Sequence, residues 1–305
     1  MHRILTYSTL FALCLLATHR AQALESSAVK TPHADVTLTS EMNAIEPGQP
    51  FRLGLYFKLA KGWHIYWVNP GDAGEPPRLD LTFPEGAQGS DIVWPTPLRI
   101  PEGPVMTYGY LGEVLLPFTV TAPAGDASFP IEAKASWLIC EKICVPEEGS
   151  FRLDMPVGTA SRSREASRFA AADQSTPRPS PFVAKLASDG TLSVEGKDIS
   201  VKSVADAWFF PDTWGAINDA APQMPTITAG KLTLALKRGQ SIDPNAALTG
   251  VLVTKDASNK ESFYTIAARP EGSAPASATP APAESGGAKP SVPARGSQPG
   301  DRLGR

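Results

Sequence analysis

Residues 137–149 read WLICEKICVPEEG. The flanks Ala135–Ile139 and Val145–Pro146 have the composition of extended chain. Pro146 argues against a helix, where the spacing would place Cys140 and Cys144 on one face. The stretch is therefore expected to be a tight β-hairpin, with Cys140 and Cys144 at its facing ends and within reach of a disulfide.

Outward from the hairpin, period-two alternation recurs. Val36–Thr39, Phe51–Phe57, Val114–Val120, Ile131–Ala135 and Phe151–Leu153 alternate between Gly, Pro and Asp clusters, as half-buried strands do. Glu46-Pro47-Gly48, Asn69-Pro70-Gly71-Asp72 and Pro84-Glu85-Gly86 read as turns between them. Thirty prolines and 25 glycines leave little room for long helices. Several short strands at close spacing indicate a β-sandwich. The fold class read from this pattern is all-β, with two β-sandwiches and a disordered carboxy-terminal tail.

The boundaries follow from changes in texture. Residues 24–158 form the first sandwich, which carries the cysteine pair. Residues 159–182 read as a linker holding a short helix from Arg164 to Ala172, before the chain turns to Pro and Ser. Strands resume over 183–270, at Leu192–Val194, Ile199–Val201, Asp206–Phe210, Lys231–Leu236 and Thr249–Val253, as a second, smaller β domain. Residues 271–305 collapse to Ala, Pro, Ser and Gly, too poor in apolar side chains to offset the entropy of ordering.

The amino terminus sets the compartment. Arg3, the apolar run LFALCLLA (10–17) and Ala21-Gln22-Ala23 form the pattern of a secretory signal peptide over 1–23, cleaved after Ala23. Cys14 leaves with it. No later run approaches the about 18 apolar residues of a membrane helix, so the mature chain is expected to be soluble and exported. A formal charge of −3 over 305 residues, without a basic block, excludes nucleic acid as the expected partner. Four histidines and three cysteines in all argue against a dedicated metal cage.

Two thiols in an oxidising compartment are either a staple or a switch. Closing a loop this short is worth roughly 2 kcal/mol in the chain-entropy model, against about 4.7 for a loop of a hundred residues. So local a bridge is a poor staple and suits an exchanging pair. Lys142 favours a thiolate and Glu141 opposes it. A non-enzymatic binding module with a structural disulfide remains the rival class. Cu(I) handling by the two thiols and His64 is a third.

Three further stretches bear on the choice. GWHIYWVNPGDAGEPP (62–77), VWPTPLRIPEGPVMTYGYLGEVLLP (93–117) and the cysteine hairpin together resemble the amino-terminal periplasmic domain of the disulfide reductases DsbD and ScsB. AWFFPDTWGAINDAAPQ (207–223) resembles the second domain of the ScsB-type branch. The resemblance implies an immunoglobulin-like domain that passes electrons through Cys140 and Cys144 by thiol–disulfide exchange, without a cofactor. It also implies the partners. Periplasmic thioredoxin-fold proteins, such as disulfide isomerases or ScsC-like proteins, receive electrons. A thioredoxin-like or membrane protein supplies them. This chain shows neither a thioredoxin domain nor a membrane span after the signal peptide.

By that resemblance Cys144 joins the partner in a mixed disulfide and Cys140 resolves it. His64 and Tyr66, two residues apart on one face of a strand, match the family's paired tyrosines, with His64 replacing one. The segment Met106, Thr107, Tyr108, Gly109 and Tyr110 matches a cap loop over the cysteines, with Thr107 where the family often carries Phe. Tyr108 and Tyr110 are thereby near-site candidates. On the residues alone, Tyr66 reads equally as a rim tyrosine and His64 as a surface histidine. Trp63 and Trp67 read as core, and Asn69–Asp72 as only a turn.

Overall fold

The alternation becomes a two-sheet sandwich because every second side chain of its long strands is apolar. The structure, a computed structural model, describes residues 24–123, 128–241, 243 and 245–272. The expected signal peptide and nearly all of the expected tail lie outside the described residues.

In chain order the first sandwich contains β1 (Val29–Lys30), β2 (Ala34–Ser40), β3 (Pro50–Leu59), β4 (His64–Gly71), β5 (Arg78–Thr82) and β6 (Gln88–Gly89). It continues with β7 (Leu98–Glu102), β8 (Val105–Leu111), β9 (Glu113–Thr121), β10 (Ser128–Cys140) and β11 (Cys144–Pro156). One sheet runs β1-β2-β3-β9-β6; the other runs β11-β10-β4-β8-β7, with β5 paired to β10. Leu53, Leu55 and Phe57 of β3, Leu116 and Phe118 of β9, and Ile131, Trp137 and Ile139 of β10 meet in one core. Trp67 lies in that core and Trp63 packs on its margin.

The segment expected as a linker is packed against this sandwich. Ser163 Oγ donates to the Ser40 carbonyl at 2.6 Å. Helix α1 (Ala166–Ser175) starts and ends slightly later than the sequence indicates. It buries Phe169 and Ala172 against Leu115 of β9. The Arg52 guanidinium, bonded to Glu41 and Asp173, ties the helix to β3. An apolar stripe of three small or aromatic residues was enough to dock a helix that its Pro- and Ser-rich sequel had suggested was free.

The second sandwich adds β12 (Arg178–Pro179), β13 (Val183–Leu186), β14 (Thr191–Glu195) and β15 (Asp206–Pro211). Then come β16 (Thr226–Thr228), β17 (Lys231–Ala235), β18 (Leu248–Lys255) and β19 (Glu261–Pro270). Their order is β15-β18-β19-β13-β14-β17-β16, with β12 paired to β19. Leu192, Val194, Leu232, Leu234 and Phe209 form its own core. Ile199–Val201, expected as a strand, is a turn: the Ile199 amide bonds to the Gly196 carbonyl, and the Ser203 hydroxyl bonds to Asp198 and Ser200. Short polar side chains here give the backbone partners that a ladder would otherwise provide.

The described chain up to Glu271 is one compact unit. The reason lies in β15 and β18. Phe209 points into the second core, while its neighbour Phe210, with Val251 and Val253, points into the first. The Phe210 ring meets Tyr108 of β8 edge-on, with centroids 4.8 Å apart. Asn69 closes the seam: its Nδ2 donates to the Pro211 carbonyl at 2.8 Å, and its Oδ1 accepts from the Gly71 amide at 3.1 Å. Asn69–Asp72 is therefore not only a turn. It is a bulge at the end of β4, where the register with β8 shifts between Tyr66 and Gly71, and it clamps the second sandwich to the first.

Candidate functional site: a hairpin-tip disulfide

β10 and β11 pair without interruption through thirteen residue pairs, from Ser128–Pro156 to Cys140–Cys144. The last pair is joined by a disulfide, with the Cα atoms 4.2 Å apart. Directly opposed residues project from the same face of a sheet, so the two sulfurs meet without distorting the ladder. The turn Glu141–Ile143 is exposed throughout, and Ile143 is 68 % exposed. The two cysteines differ sharply: Cys140 is 2 % exposed, whereas Cys144 is exposed.

The ladder builds the surroundings row by row. Cys140 pairs with His64 of β4, and His64 with Leu111 of β8. The next row joins Tyr66, Gly109 of β8 and Leu98 of β7. Thr107 pairs with Ile100, and Val105 with Glu102, so β7 turns Glu102 to the same face. Cys144, Cys140, His64, Tyr66, Thr107 and Glu102 therefore share one face of one sheet. The opposite face carries Ile65, Trp67, Tyr108 and Tyr110 into the core.

Tyr66 makes the closest contact with the bridge. Its hydroxyl donates to Cys140 Sγ at 2.8 Å and lies 3.4 Å from Cys144 Sγ. Burial pushes the Tyr66 hydroxyl up to about 12, and the negative charge of Glu102 adds to the effect. The phenol therefore stays protonated and remains a donor across the physiological range. His64, 1 % exposed, has no hydrogen-bond partner at Nε2. Burial pulls its imidazole below the usual histidine range, opposed by the Glu102 carboxylate, whose Oε1 lies 4.0 Å from Nε2. Thr107 Oγ1 donates to Glu102 Oε2 at 3.0 Å and orients that carboxylate.

The structure thus brings together Cys140, Cys144, His64 and Tyr66, and it places Thr107 and Gly109 on the same face. Tyr108 and Tyr110 point away: Tyr108 donates to Asp219 Oδ1 at 2.9 Å in the seam, and Tyr110 donates to the Pro95 carbonyl at 2.7 Å. Met106–Tyr110 is not a loop but lies within β8, hydrogen-bonded on both sides to β4 and β7, and its alternation sends Met106, Tyr108 and Tyr110 inward. The segment lying over the Tyr66 ring is instead the 72–77 loop. Gly74 there has φ +111°, and a Cβ on it would stand 2.1 Å from the ring. Glu102 escaped the sequence reading because IPEGP looks like any solvated turn. Its only signal was a carboxylate three positions before Val105, where β8 begins.

Among the described residues no group of three or more His, Cys, Asp or Glu side chains could hold a metal ion. None of the described helices is long and apolar enough to cross a membrane.

The fold and the bridge together define an immunoglobulin-like β-sandwich with a cross-strand disulfide at the tip of its longest hairpin. Residues 34–156, which hold the whole site, match the family model described as thiol:disulfide interchange protein DsbD, N-terminal. Among solved structures, the chain is similar to the N-terminal periplasmic domain of ScsB from Proteus mirabilis, at 18 % identity and a TM-score of 0.60. That likeness covers 81 % of this chain and 99 % of the other, so it reaches past the family segment into the second sandwich. At this identity it is a likeness of fold. No curated protein matches the chain.

Proposed function

We propose that this chain is a periplasmic thiol–disulfide exchange protein, exported by its signal peptide, in which the Cys140/Cys144 pair carries two electrons to thioredoxin-fold partners. The observation that carries the reading is the asymmetry of the bridge: an exposed Cys144 bonded to a buried Cys140 whose sulfur accepts the Tyr66 hydroxyl. The family match over 34–156 supports it.

The chemistry follows from access and hydrogen bonding. A thiolate of the electron donor attacks Cys144 Sγ, the sulfur on the exposed residue. The Cys140–Cys144 bond breaks, and Cys140 leaves with the electron pair as a thiolate that the Tyr66 O–H stabilises. The donor's second thiol then releases Cys144. In the forward direction the Cys144 thiolate attacks a partner disulfide, and Cys140 resolves the mixed disulfide. Two electrons pass to the partner and the bridge re-forms. Leu98 and Leu111, exposed on this face, and Ile143, exposed at the hairpin tip, offer an apolar rim for docking. An upstream thioredoxin-like or membrane electron donor would recharge the pair.

The test is the reduction potential of the pair in graded glutathione buffers, read by alkylation and mass. A value between about −180 and −270 mV supports exchange, and one below about −300 mV makes the bridge a staple. A Cys140→Ser variant should trap partners through Cys144, and a Cys144→Ser variant should trap none.

A further inference from the structure

We infer that Cys140, His64 and Glu102 form a proton-transfer line for the resolving step, in which His64 takes the Cys140 thiol proton and Glu102 is the positioning residue that holds the resulting imidazolium. The inference deepens the exchange reading and rests on it. Resolution needs a thiolate at Cys140, yet Cys140 is buried, which disfavours its charged form. Water has poor access to that thiol, so a neighbouring base must accept the proton. Tyr66 cannot serve, because its hydroxyl stays protonated and donates.

His64 has the required position. It is the cross-strand partner of Cys140, and opposed Cβ atoms on one face lie about 5 Å apart. Its buried Nε2 lacks a hydrogen-bond partner, an arrangement that costs free energy and that a catalytic role accounts for. Burial keeps the ring neutral at rest, which is the form a base needs. Glu102 stands 4.0 Å from Nε2, its other oxygen fixed by Thr107. The ring would be charged only during transfer, and the carboxylate is placed to stabilise it then. The titratable groups near His64 on its own face of the sheet are Tyr66 on its own strand, Glu102 on β7 and Cys140 on β10, while Arg99 of β7 and Tyr108 and Tyr110 of β8 alternate to the opposite face. β8 contributes Leu111 and Thr107. Glu141, just beyond Cys140, stands beside Gly62.

The step balances. In the mixed disulfide, the Cys140 S–H proton moves to His64. The Cys140 thiolate attacks Cys144 Sγ and forms the intramolecular bond. The Cys144–partner bond breaks, and the partner sulfur leaves with the electron pair. The imidazolium then passes its proton to that thiolate or to water.

The experiment mixes the reduced mature protein with glutathione disulfide, quenches the mixture in acid at intervals and resolves the species by mass. Attack by Cys144 gives a transient glutathione adduct, and attack by Cys140 removes it. In Glu102→Gln and His64→Gln, the adduct should accumulate, with its decay slowed by about 10²-fold for His64→Gln. In the wild type, the decay rate should rise with pH and level off as His64 becomes neutral. In His64→Gln it should climb with hydroxide through the neutral range, whereas in Glu102→Gln, which keeps the base but loses the carboxylate that raises it, the levelling-off should move to lower pH. A structural role alone would not change the shape of that profile. Glu102 lies at the rim, so Glu102→Gln keeps the test open should His64→Gln misfold. An unchanged adduct lifetime and pH profile in a folded Glu102→Gln protein overturns the inference and leaves the exchange reading standing. A wild-type protein that forms no adduct and no re-formed bridge overturns the exchange reading, and this inference with it.

Discussion

The Tyr108 hydroxyl donates to Asp219 Oδ1 at 2.9 Å across the seam between the two sandwiches, and both residues are buried. Burial, reinforced by the charge of Asp72 and opposed by the Tyr108 hydrogen bond, raises the Asp219 carboxyl to about 6. The folded state therefore binds a proton that the unfolded state, near 3.8, has already released. The resulting stability is fully present below pH 4 and is lost as the pH rises towards 6, because the native state then binds more protons than the unfolded one. Between pH 4.5 and 7.5 the wild type should lose roughly 2 kcal/mol relative to Asp219→Asn. Urea unfolding of both proteins at the two pH values checks this, and parallel behaviour would refute it.

Tyr66 donates to the sulfur of the buried Cys140. Tyr66→Phe keeps the ring against Gly74 and removes only the hydroxyl. A hydrogen bond to a charged group contributes about 1.5–3 kcal/mol, so dithiothreitol should reduce the bridge about tenfold more slowly, or worse. Thiol-trapping kinetics reads the effect. An unchanged rate would make Tyr66 a packing residue.

Asn69 joins the sandwiches through backbone partners. In Asn69→Ala, the Pro211 carbonyl and the Gly71 amide lose their side-chain partner in a buried seam. The expected cost is about 2 kcal/mol, from desolvated groups left without partners. Limited proteolysis should then cut faster near Pro211 than in the wild type. Equal cutting and equal stability would count against the clamp.

Gly74 combines a positive φ with contact against the Tyr66 ring. Gly74→Ala is strained in backbone and side chain alike, and a loss of about 2 kcal/mol or more is expected. The melting temperature reports it, and a neutral substitution would show that the loop is free to move off the ring.

The sandwich and the cysteine hairpin were legible because alternation is a local property. Phe51–Phe57 and Phe151–Leu153 state their faces within a few residues, and Pro146 excludes the competing helix. The face shared by His64 and Tyr66 was legible for the same reason. Other features depend on pairings distant in sequence. Glu102 looks solvated until the β7–β8 hairpin folds it towards His64. Asn69 looks like part of a turn until Pro211, 142 positions on, arrives above it. Met106–Tyr110 resembled a cap, but the neighbouring strands on both sides hold it in the ladder, and the cover over Tyr66 falls to a loop whose only mark was Gly74.

β4 and β8 each serve two masters through their pleat. One side of these strands lines the sulfur chemistry, and the other is roofed by Phe210, Val251 and Val253. Cutting the chain after Pro156 would bare an aromatic wall around Tyr108 and Trp67 and leave the Asn69 bulge with nothing to grip. The first sandwich is thus not a portable cassette, and transplanting it into another scaffold requires carrying the second sandwich, or an engineered substitute for its roof, along with it.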